Sequence, residues 1–481
     1  MMNKDILILG AGPAGMACAM ELCNNGKIAV IIEKDLKVGG LAQTLEFDEG
    51  GLIFRTDLGP HRFFSKNQYL YDFIENLLNE KWILVNRQTR QFIDGKFYDY
   101  PINALQALRN IGFLKAFNFF ISYISGFFQY KIFKKKINSF EDYIVASFGR
   151  KLGEFNMLNY TEKIWGIPSS KIHPDWAKQR IQGLNFLSAV INALFGKNKK
   201  SPKTLVNHFY YPQYGTGLIY ETIAKKIQDK GFIINKNSHP TKIFHKNFTI
   251  TSVRININGK EEEIIPSILV SSIPITHFIE LLSPAPPREV INATKNLKWR
   301  AQVYLFITLD KEKVTDDNWI YFPDKEVPFG RISEMKNFSK DMSPEGKTSL
   351  FIEFFVTEND KIWNMNKEEL FELTINQLQK LKLNLFKKEE VRKYYLIKRR
   401  NVYPIYNLDY QKNLKIIKDY LDKFTNLYYI GRPGRFLYNN QDHSLEMGIL
   451  TAQSILQNKK PNFEQIESEN EYFEKGIIKS K

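Results

Sequence analysis

The sequence predicts an α/β protein in which a Rossmann-like domain carries two insertions, one helical and one a mostly antiparallel β-sheet. Three observations predict this fold. An apolar run followed by glycines at GxGxxG spacing stands near the N-terminus, and a second strand ending in glycine stands near the C-terminus. Between them, a helix-rich stretch precedes a strand-rich stretch. Because strands from both ends must meet in one sheet, the chain is predicted to form one large folded unit.

The first element is a buried strand followed by a tight turn and a helix. The apolar run Ile6 to Leu9 leads into Gly10, Gly12 and Gly15. In this fingerprint the first glycine permits the turn, the second lets the backbone approach a pyrophosphate, and the third allows close helix–strand packing. The helix predicted from Pro13 directs its N-terminal amides at the phosphates, so the segment indicates a dinucleotide site.

The next strand supports that interpretation and the doublet after it favours FAD over NAD. A second apolar strand, Ile28 to Ile32, ends at Glu33, where an acid accepts hydrogen bonds from a ribose. The Gly39–Gly40 doublet that follows resembles the GG motif of FAD-dependent amine-oxidase-like and mutase-like flavoproteins. Leu41 stands where those proteins usually have an arginine, which weakens an ordinary amine-oxidase interpretation. We therefore predict an FAD-binding domain of the GR2 type.

The C-terminal element repeats the strand–glycine–helix arrangement. Leu427 to Ile430 form a predicted strand that Gly431 ends. Ser444 is predicted to cap a helix that runs through Gly448 and Ala452. In flavoproteins of this kind, the N-terminus of that helix faces the flavin ring and stabilises negative charge on it.

These elements define a set of predicted FAD contacts. They lie in the glycine-rich loop, at the end of the second strand, in the doublet and in the C-terminal segment. The set is Gly10, Gly12, Pro13, Ala14, Gly15, Glu33, Lys34, Gly39, Gly40, Leu41, Gly431, Arg432, Asn440, Gln441, Asp442 and Ser444.

The FAD-binding domain is predicted to be discontinuous. Alternation of this kind places a substrate lobe over the cofactor. The predicted blocks are 1–62, 206–275 and 401–457 for the FAD-binding domain, 63–205 for a helical substrate or lid domain, 276–400 for a β-sheet substrate domain, and 458–481 for a polar C-terminal tail. The strand-rich part contains the runs Ala301 to Leu309, Trp319 to Pro323 and Thr348 to Val356.

Composition narrows the function classes. The formal net charge of +16 indicates an anionic partner, and no nucleic-acid motif accompanies it, so small anions or lipid headgroups are favoured. Cys18 and Cys23 give no disulfide framework and suit a reducing, cytoplasmic compartment, and no signal peptide is visible. The 7 histidines show no ligand spacing, so no metal site is predicted. The sequence has no GxSxG motif, the nucleophile elbow of many serine hydrolases, so it does not indicate an enzyme of that class.

One segment of the helical insertion is open to two interpretations. Phe113 to Lys136 is aromatic over most of its length and ends in Lys131 and Lys134 to Lys136. It is too short and polar to span a bilayer. We favour a core helix of the substrate lobe with a solvated lysine end. The alternative is a peripheral membrane contact, with the lysines on lipid headgroups at the inner face of the membrane.

Four separated stretches resemble the UDP-galactopyranose mutase family, within the superfamily that includes amine oxidases and protoporphyrinogen oxidases. Leu58 to Ile74 resembles the histidine loop of the bacterial enzymes, which passes beside the flavin. Ile164 to Ile181, Trp319 to Ile332 and Tyr438 to Ile449 resemble the eukaryotic branch. The matches occur in the right order along the chain, so the resemblance implies the fold and the cofactor chemistry of that family.

The resemblance also implies substrate and catalytic residues. Arg180 and Arg331 fall where the family places two arginines on the substrate diphosphate, and Tyr403 and Tyr438 fall at two tyrosines that hydrogen-bond it. Arginine suits this task because its planar fork binds phosphate oxygens in bidentate fashion.

The remaining implied residues lie around the flavin and the nucleotide. His61 falls beside the flavin, with the carbonyl of Pro60 near N5. Tyr100 and Trp165 fall where aromatic residues line the nucleotide pocket. Judged without the resemblance, the two aromatic residues are ordinary core residues and His61 is an ordinary loop histidine.

The implied activity is a UDP-sugar mutase that interconverts UDP-galactopyranose and UDP-galactofuranose, or a close analogue, in cell-surface polysaccharide biosynthesis. No net electrons move, because reduced FAD acts as the nucleophile at C1 of the sugar. NAD(P)H is a candidate reductant, and a homo-oligomer is a candidate assembly. Two alternatives stand: a conventional FAD-dependent oxidoreductase on a membrane-associated substrate, and a non-catalytic FAD-binding partner in a glycan-assembly complex.

Overall fold

The computed structural model describes residues 5–100, 104–177 and 208–467, and its central feature is a parallel sheet of five strands. All neighbouring strands of that sheet pair in parallel. Their order is Leu427–Tyr429, Ile268–Ser271, Ile6–Leu9, Val30–Ile32 and Ile233–Asn235. The first strand of the chain lies in the middle and is buried on both faces, as its continuous apolar run requires. The predicted Rossmann-like domain is confirmed.

Helices from both ends of the chain pack against each other over this sheet. The helix Pro13–Asn24 begins at the predicted proline and contacts the C-terminal helix, Gln441–Leu456. A Cβ atom on Gly448 would lie 2.2 Å from the carbonyl oxygen of Ala14, so only glycine permits this approach. A third helix, Gly217–Gln228, packs beside the first. The N- and C-terminal motifs therefore belong to one layer of the fold.

Two predicted boundaries in this domain are wrong. The C-terminal helix begins at Gln441, with Asn440 in extended conformation as its N-cap, so Ser444 lies in the first turn and does not cap it. The second strand covers only Val30–Ile32, and Ile28, where it was expected to begin, lies outside it and is exposed. Both differences move an end of an element by a few residues, where local propensity gives way to tertiary contacts.

A seven-stranded sheet stands beside the Rossmann-like domain. Its order is Val391–Pro404, Trp299–Leu309, Thr348–Val356, Arg331–Glu334, Trp319–Tyr321, Thr89–Ile93 and Lys96–Asp99. Every pair is antiparallel except that of Trp319–Tyr321 with Thr89–Ile93. The mostly antiparallel sheet predicted for the second domain is thus confirmed, and the helical insertion contributes two strands to its edge. The helix Lys367–Lys380 packs against one face.

Smaller elements complete the described chain. A four-stranded sheet contains Lys260–Ile264, Thr249–Ile257, Ser238–Lys246 and Leu282–Ser283. Two further antiparallel pairs join Thr44–Asp48 to Ile53–Asp57, as a hairpin, and Trp82–Asn86 to the distant strand His208–Pro212. The remaining main helices are Gln68–Leu78, Ala104–Ile111, Phe113–Phe127, Phe140–Phe148, Leu158–Trp165, Ile275–Leu281, Arg288–Asn296 and Tyr410–Leu421. Of the tail predicted from residue 458, the part to residue 467 is described, and Phe463 and Ile466 are buried in it.

The core interpretation of the aromatic segment is wrong. Phe113–Phe127 does form a helix, but Phe113 and Leu114 are 82% and 85% exposed, and most of its other large apolar side chains also face solvent. Only Phe119 and Gly126 of this helix are buried. Within residues 5–100, 104–177 and 208–467, no helix is long and apolar enough to cross a membrane.

Candidate functional site

The glycine-rich loop after the first strand forms an open cradle. Gly10 has φ +95°, which favours glycine, and Gly15 approaches it so closely that a Cβ atom would lie 2.1 Å from the carbonyl oxygen of Gly10. A Cβ atom on Gly12, in contrast, would meet no atom within 4 Å. The space above Gly12, at the start of the Pro13–Asn24 helix, fits a diphosphate that accepts hydrogen bonds from backbone amides.

Glu33 connects this loop to the second strand. Its carboxylate accepts a hydrogen bond from the backbone N–H of Ala11 at 2.7 Å and from that of Asp35 at 2.9 Å. Burial raises the pKa of Glu33, and the two backbone amides act in the opposite direction. The side chain thus fixes the glycine-rich loop to the end of the second strand. The neighbouring Lys34 is exposed.

The glycine doublet crosses over the same loop. Gly39 and Gly40 have φ values of +103° and +55°, and the N–H of Gly39 donates to the carbonyl of Ala11 at 2.8 Å. A Cβ atom on Gly40 would lie 3.2 Å from Cα of Gly12. The doublet therefore walls one side of the cradle, and Leu41 continues this wall in the short 3₁₀ turn that follows.

The C-terminal segment closes the opposite side of the cradle. Gly431 has φ +75°, and a Cβ atom there would lie 2.8 Å from Cβ of Ala14. Gln441, in the first turn of the C-terminal helix, accepts from the hydroxyl of Tyr220 at 3.0 Å. The first-turn residues Asp442 and Ser444 are also buried. Asn440 makes no side-chain capping hydrogen bond, so its side chain does not accept from the first amides of this helix.

The histidine loop runs along the cleft next to a buried ion pair. Gly59 has φ +130°, and a Cβ atom there would lie 3.6 Å from Nη2 of Arg331 and 4.0 Å from Cε1 of His61. The carbonyl of Pro60 accepts from the N–H of Arg62 at 3.0 Å. Nδ1 of His61 is buried and has no hydrogen-bond partner among the described residues. Burial, together with the charges of Arg432 and Arg331, lowers the pKa of His61 to about 3, so its imidazole is neutral at physiological pH.

Arg331 is held by a bidentate ion pair with Glu353. Its Nε and Nη2 donate to the two carboxylate oxygens at 2.5 and 2.6 Å. Glu353 is fully buried and also accepts from Nε2 of Gln302 at 3.3 Å. Although burial opposes the charge of Arg331, the Glu353 carboxylate raises the pKa of the guanidinium above its usual value. The guanidinium is thereby fixed in place and remains charged beside the histidine loop.

Tyr403 and Tyr438 stack on each other at one side of the cleft. Their ring centroids are 5.4 Å apart with an interplanar angle of 19°. The guanidinium of Arg432 lies 5.5 Å from the ring of Tyr403 and 4.9 Å from that of Tyr438, and it donates to the carbonyl of Asn439. Burial and the neighbouring Tyr438 raise the pKa of Tyr403, so its hydroxyl stays protonated and can donate a hydrogen bond.

A second aromatic group lies on the other side of Arg331. The ring of Tyr321 makes edge contacts at 5.5 Å with both Tyr100 and Tyr160, and the guanidinium of Arg331 lies 6.0 Å from it. Burial also raises the pKa of Tyr160. The structure thus brings Tyr100 to the cleft wall and adds two tyrosines that the sequence interpretation missed.

Two predicted substrate residues, Trp165 and Arg180, are not seen at the cleft wall. Trp165 is completely buried, and its ring lies behind Tyr438, against Trp176 at 4.7 Å and Tyr406 at 5.6 Å. Its ring thus packs behind the tyrosine pair and supports it. Arg180 lies outside the described residues.

Some of the missed residues had a signal in the sequence. Glu353 is the one charged residue in the apolar run Thr348 to Val356, and a buried carboxylate in such a run requires a cationic partner. Tyr321 stands in the quoted Trp319 to Ile332 stretch. Tyr160 had no distinguishing signal, since a tyrosine in an amphipathic helix is most often a packing residue.

Together the described residues form two neighbouring groups, the cradle and the cleft wall, which the histidine loop joins. The cradle offers backbone amides and the Glu33 carboxylate. Beside the histidine loop, the cleft wall offers the guanidinium groups of Arg331 and Arg432 and several tyrosine hydroxyls. Such donors are chemically suited to an anionic, oxygen-rich ligand.

Comparisons with known proteins agree with this geometry. The profile of the family described as NAD(P)-binding Rossmann-like domain matches residues 8–77. Over 179 residues, the chain is 27% identical to a probable UDP-galactopyranose mutase of Klebsiella pneumoniae. The matched stretch covers 36% of this chain and 44% of that relative, which is less than half of its length. It is also 21% identical to protoporphyrinogen oxidase 2 of Arabidopsis thaliana over 96% of each chain.

The fold has a counterpart among solved structures. A crystal structure of reduced UDP-galactopyranose mutase superposes with a TM-score of 0.81 at 21% identity, covering 98% of this chain and 97% of that one. The predicted resemblance is confirmed: about a third of the chain is similar in sequence to UDP-galactopyranose mutases, and the whole chain has the fold of the reduced enzyme.

Proposed function

We propose that this chain is an FAD-dependent enzyme that interconverts the ring forms of a nucleotide-diphosphate sugar, as a UDP-galactopyranose mutase does. The observation that carries the proposal is the placement of Arg331. Its guanidinium is fixed by Glu353 at 2.5 Å, beside the Gly59–His61 loop, and it is surrounded by tyrosines. A buried cation at this position suits a diphosphate leaving group and has no evident use for an apolar substrate.

The cradle fits FAD as its resident group. The open space at Gly12, the buried Glu33 carboxylate and the unpartnered Nδ1 of His61 are each explained by a bound flavin dinucleotide. Gly10, Gly15 and Gly39–Gly40 supply the turn and the close contacts that shape the cradle. When bound and reduced, FAD supplies the nucleophilic nitrogen that such an isomerisation needs.

The protein then has to hold the leaving group and align the sugar. Arg331 neutralises diphosphate charge, and Tyr403 and Tyr438 donate hydrogen bonds to its oxygens. We propose that Arg180 is the second cation of this clamp. Neutral His61 donates or accepts one hydrogen bond at the flavin edge, and the Tyr100 and Tyr321 rings line the nucleotide side. Fixed donors of this kind favour the charge that develops on the departing diphosphate.

A conventional oxidoreductase is the second candidate, and one observation favours it. The alignment with the Arabidopsis protoporphyrinogen oxidase extends over 96% of each chain, whereas that with the Klebsiella mutase covers 36% of this chain. Leu41 and the Arg331–Glu353 pair argue against it. The two candidates make different demands, since only the mutase binds UDP and turns over without a net oxidant.

Anaerobic turnover tests the proposal. The purified protein is mixed with UDP-galactofuranose, with and without dithionite, and the UDP-sugars are separated by anion exchange. We expect UDP-galactopyranose only when the flavin is reduced. No conversion, with a melting temperature that does not respond to UDP, would contradict the mutase assignment and favour the oxidoreductase. Conversion with oxidised flavin would instead contradict the role given to reduced FAD. UDP binding without conversion would direct the search to another sugar.

Substitutions of one arginine make the test specific. Arg331→Lys keeps a charge but loses the planar fork, and we expect kcat/KM to fall by about a hundredfold. The matched control is Arg400→Ala, because Arg400 lies on the strand of Tyr403 but is exposed and pairs with Glu358 at the surface. Equal activity of Arg331→Lys and wild type would show that this guanidinium does not bind the diphosphate.

A further inference from the structure

The helix Phe113–Phe127 and its continuation to Phe133, here called the exposed helix, turn apolar side chains toward solvent. Helices of globular proteins place their apolar stripe on the core, so this arrangement is inverted. The exposed side chains include Phe113, Leu114, Phe117, Ile121, Phe128, Ile132 and Phe133. Contiguous apolar patches of this kind mark interaction sites.

The inward side of the exposed helix fixes its rotation. A Cβ atom on Gly126 would lie 2.4 Å from the carbonyl oxygen of Val145, so this face tolerates only glycine. The hydroxyl of Tyr130 donates to Asp142 at 2.5 Å, and the ring of Phe119 packs on Phe155 at 5.5 Å. Rotating the helix would break all three contacts, so exposure of the apolar face follows from how the helix is docked.

Positive charge accompanies the apolar face. Lys131, Lys134 and Lys136 are exposed at the C-terminal end of the helix. The sequence contains no Asp or Glu between Asp99 and Glu141. The acids next to the helix, Asp94 and Asp142, pair with Lys115 and Lys135. An aromatic face bordered by further lysines complements a surface that is apolar inside and negatively charged at its rim.

We propose that the exposed helix docks this protein onto a membrane that contains anionic lipids. The phenylalanines enter the boundary between headgroups and acyl chains, and the three lysines contact the phosphates. A second copy of the chain is the less suitable occupant, because a two-fold interface brings the same patch together and would oppose two surfaces that each carry the exposed Lys131, Lys134 and Lys136. The proposal is independent of the reaction at the cleft.

Vesicle sedimentation of the full chain tests it. We expect the protein to sediment with vesicles of phosphatidylcholine mixed with phosphatidylglycerol, and far less with phosphatidylcholine alone. Binding to the mixed vesicles should weaken as salt screens the lysines. The triple variant Phe113→Ser, Phe117→Ser, Ile121→Ser should lower the partition coefficient at least about tenfold. Replacing Lys131, Lys134 and Lys136 by Gln should lower it about tenfold on mixed vesicles only.

Matched controls use exposed residues on other surfaces. Leu36, Leu84 and Ile265 are exposed apolar residues for the serine control, and Lys246, Lys260 and Lys382 are exposed lysines for the glutamine control. Both controls should sediment like wild type, and every variant should keep wild-type turnover at the cleft. Sedimentation that does not depend on the anionic lipid, or that the controls reduce equally, would overturn the proposal. So would a dimer in solution that the phenylalanine variant converts to monomer while vesicles capture neither form.

Discussion

The cradle and the cleft wall beyond the histidine loop differ in which atoms of the chain build them. In the cradle, backbone atoms make the site: Gly12 leaves space, Gly15 lets helix and strand touch, and Gly39–Gly40 crosses above. In the cleft wall, side chains make it, and Arg331, Glu353 and Tyr403 come from three strands of the antiparallel sheet. The first region depends on the absence of side chains and the second on their exact pairing partners.

This difference predicts how each region fails. In the cradle, a side chain added where two backbone segments touch should prevent folding. A side chain added where the ligand would lie should leave the fold intact. A cleft wall built from a buried ion pair tolerates loss of neither partner, because the remaining charge would stay buried alone. The following substitutions test that contrast, beginning with the largest expected effect.

The cradle should separate folding from cofactor binding at two glycines. We expect Gly15→Val to abolish the folded protein, since its Cβ would stand 2.1 Å from the carbonyl oxygen of Gly10. Gly12→Ala should fold normally, because nothing lies within 4 Å of the new atom, but it should lose bound flavin. Circular dichroism measures the first property and flavin absorbance the second. Retention of flavin by Gly12→Ala would show that the diphosphate does not lie above this residue.

The cleft wall should be sensitive to its ion pair. We expect Glu353→Ala to lower the free energy of unfolding by about 3–5 kcal/mol, because Arg331 would remain buried and unpaired. The surface pair Arg400–Glu358 is the control, and Glu358→Ala should cost at most about 1 kcal/mol. Urea unfolding measures both. A similar cost for the two pairs would mean that the Arg331–Glu353 pair is not desolvated in solution.

His61 should make stability depend on pH where the two regions meet. Burial lowers the pKa of His61 in the folded protein to about 3. Below pH about 6.5, the histidine is therefore protonated in the unfolded chain but stays neutral in the folded one. The contribution of neutral His61 to the free energy of unfolding is complete above pH about 6.5 and is lost as the pH falls below it. Between pH 6.5 and 5.5 the flavin-free protein should lose about 1 kcal/mol through this group. His61→Asn should flatten that slope in urea unfolding, whereas the same change at exposed His239 should leave it intact.

The smallest effect is expected from single hydroxyls of the cleft wall. Tyr403→Phe removes one hydrogen bond to the proposed diphosphate and should lower kcat/KM about fivefold to tenfold without altering stability. Tyr394→Phe is the matched control on the same strand, since its ring stacks on Phe371 away from the cleft. Steady-state rates with reduced flavin compare the two. An equal decrease in both variants would remove Tyr403 from the substrate site.

The same contrast explains what could be predicted from the sequence. The cradle was predicted residue by residue, because glycines at fixed spacing and an acid after a strand report local steric needs. In the cleft wall, the family resemblance supplied Arg331, Tyr403 and Tyr438, but it did not supply Glu353. A lone carboxylate in an apolar strand signals that a partner exists, although nothing in the sequence tells which of many cations will lie opposite it.

The exposed helix also shows what could not be predicted from the sequence. Its sequence indicates a helix with an apolar face, and this much was correct. Which face is buried was decided by Gly126 against Val145 and by Tyr130 against Asp142, contacts between segments that the sequence keeps apart. Likewise, Ser444 was expected to cap the C-terminal helix, but that helix begins at Gln441, which accepts a hydrogen bond from Tyr220.

The Rossmann-like cradle and the mostly antiparallel sheet could be predicted from the sequence, because hydrophobic period and glycine spacing act over a few residues. Three other features arise from contacts between distant parts of the folded chain: Glu353 holds Arg331, Trp165 packs behind Tyr438, and the exposed helix points its phenylalanines outward. These are choices among many chemically equivalent partners. They depend on which distant surfaces meet when the chain closes, and local spacing carries no record of that.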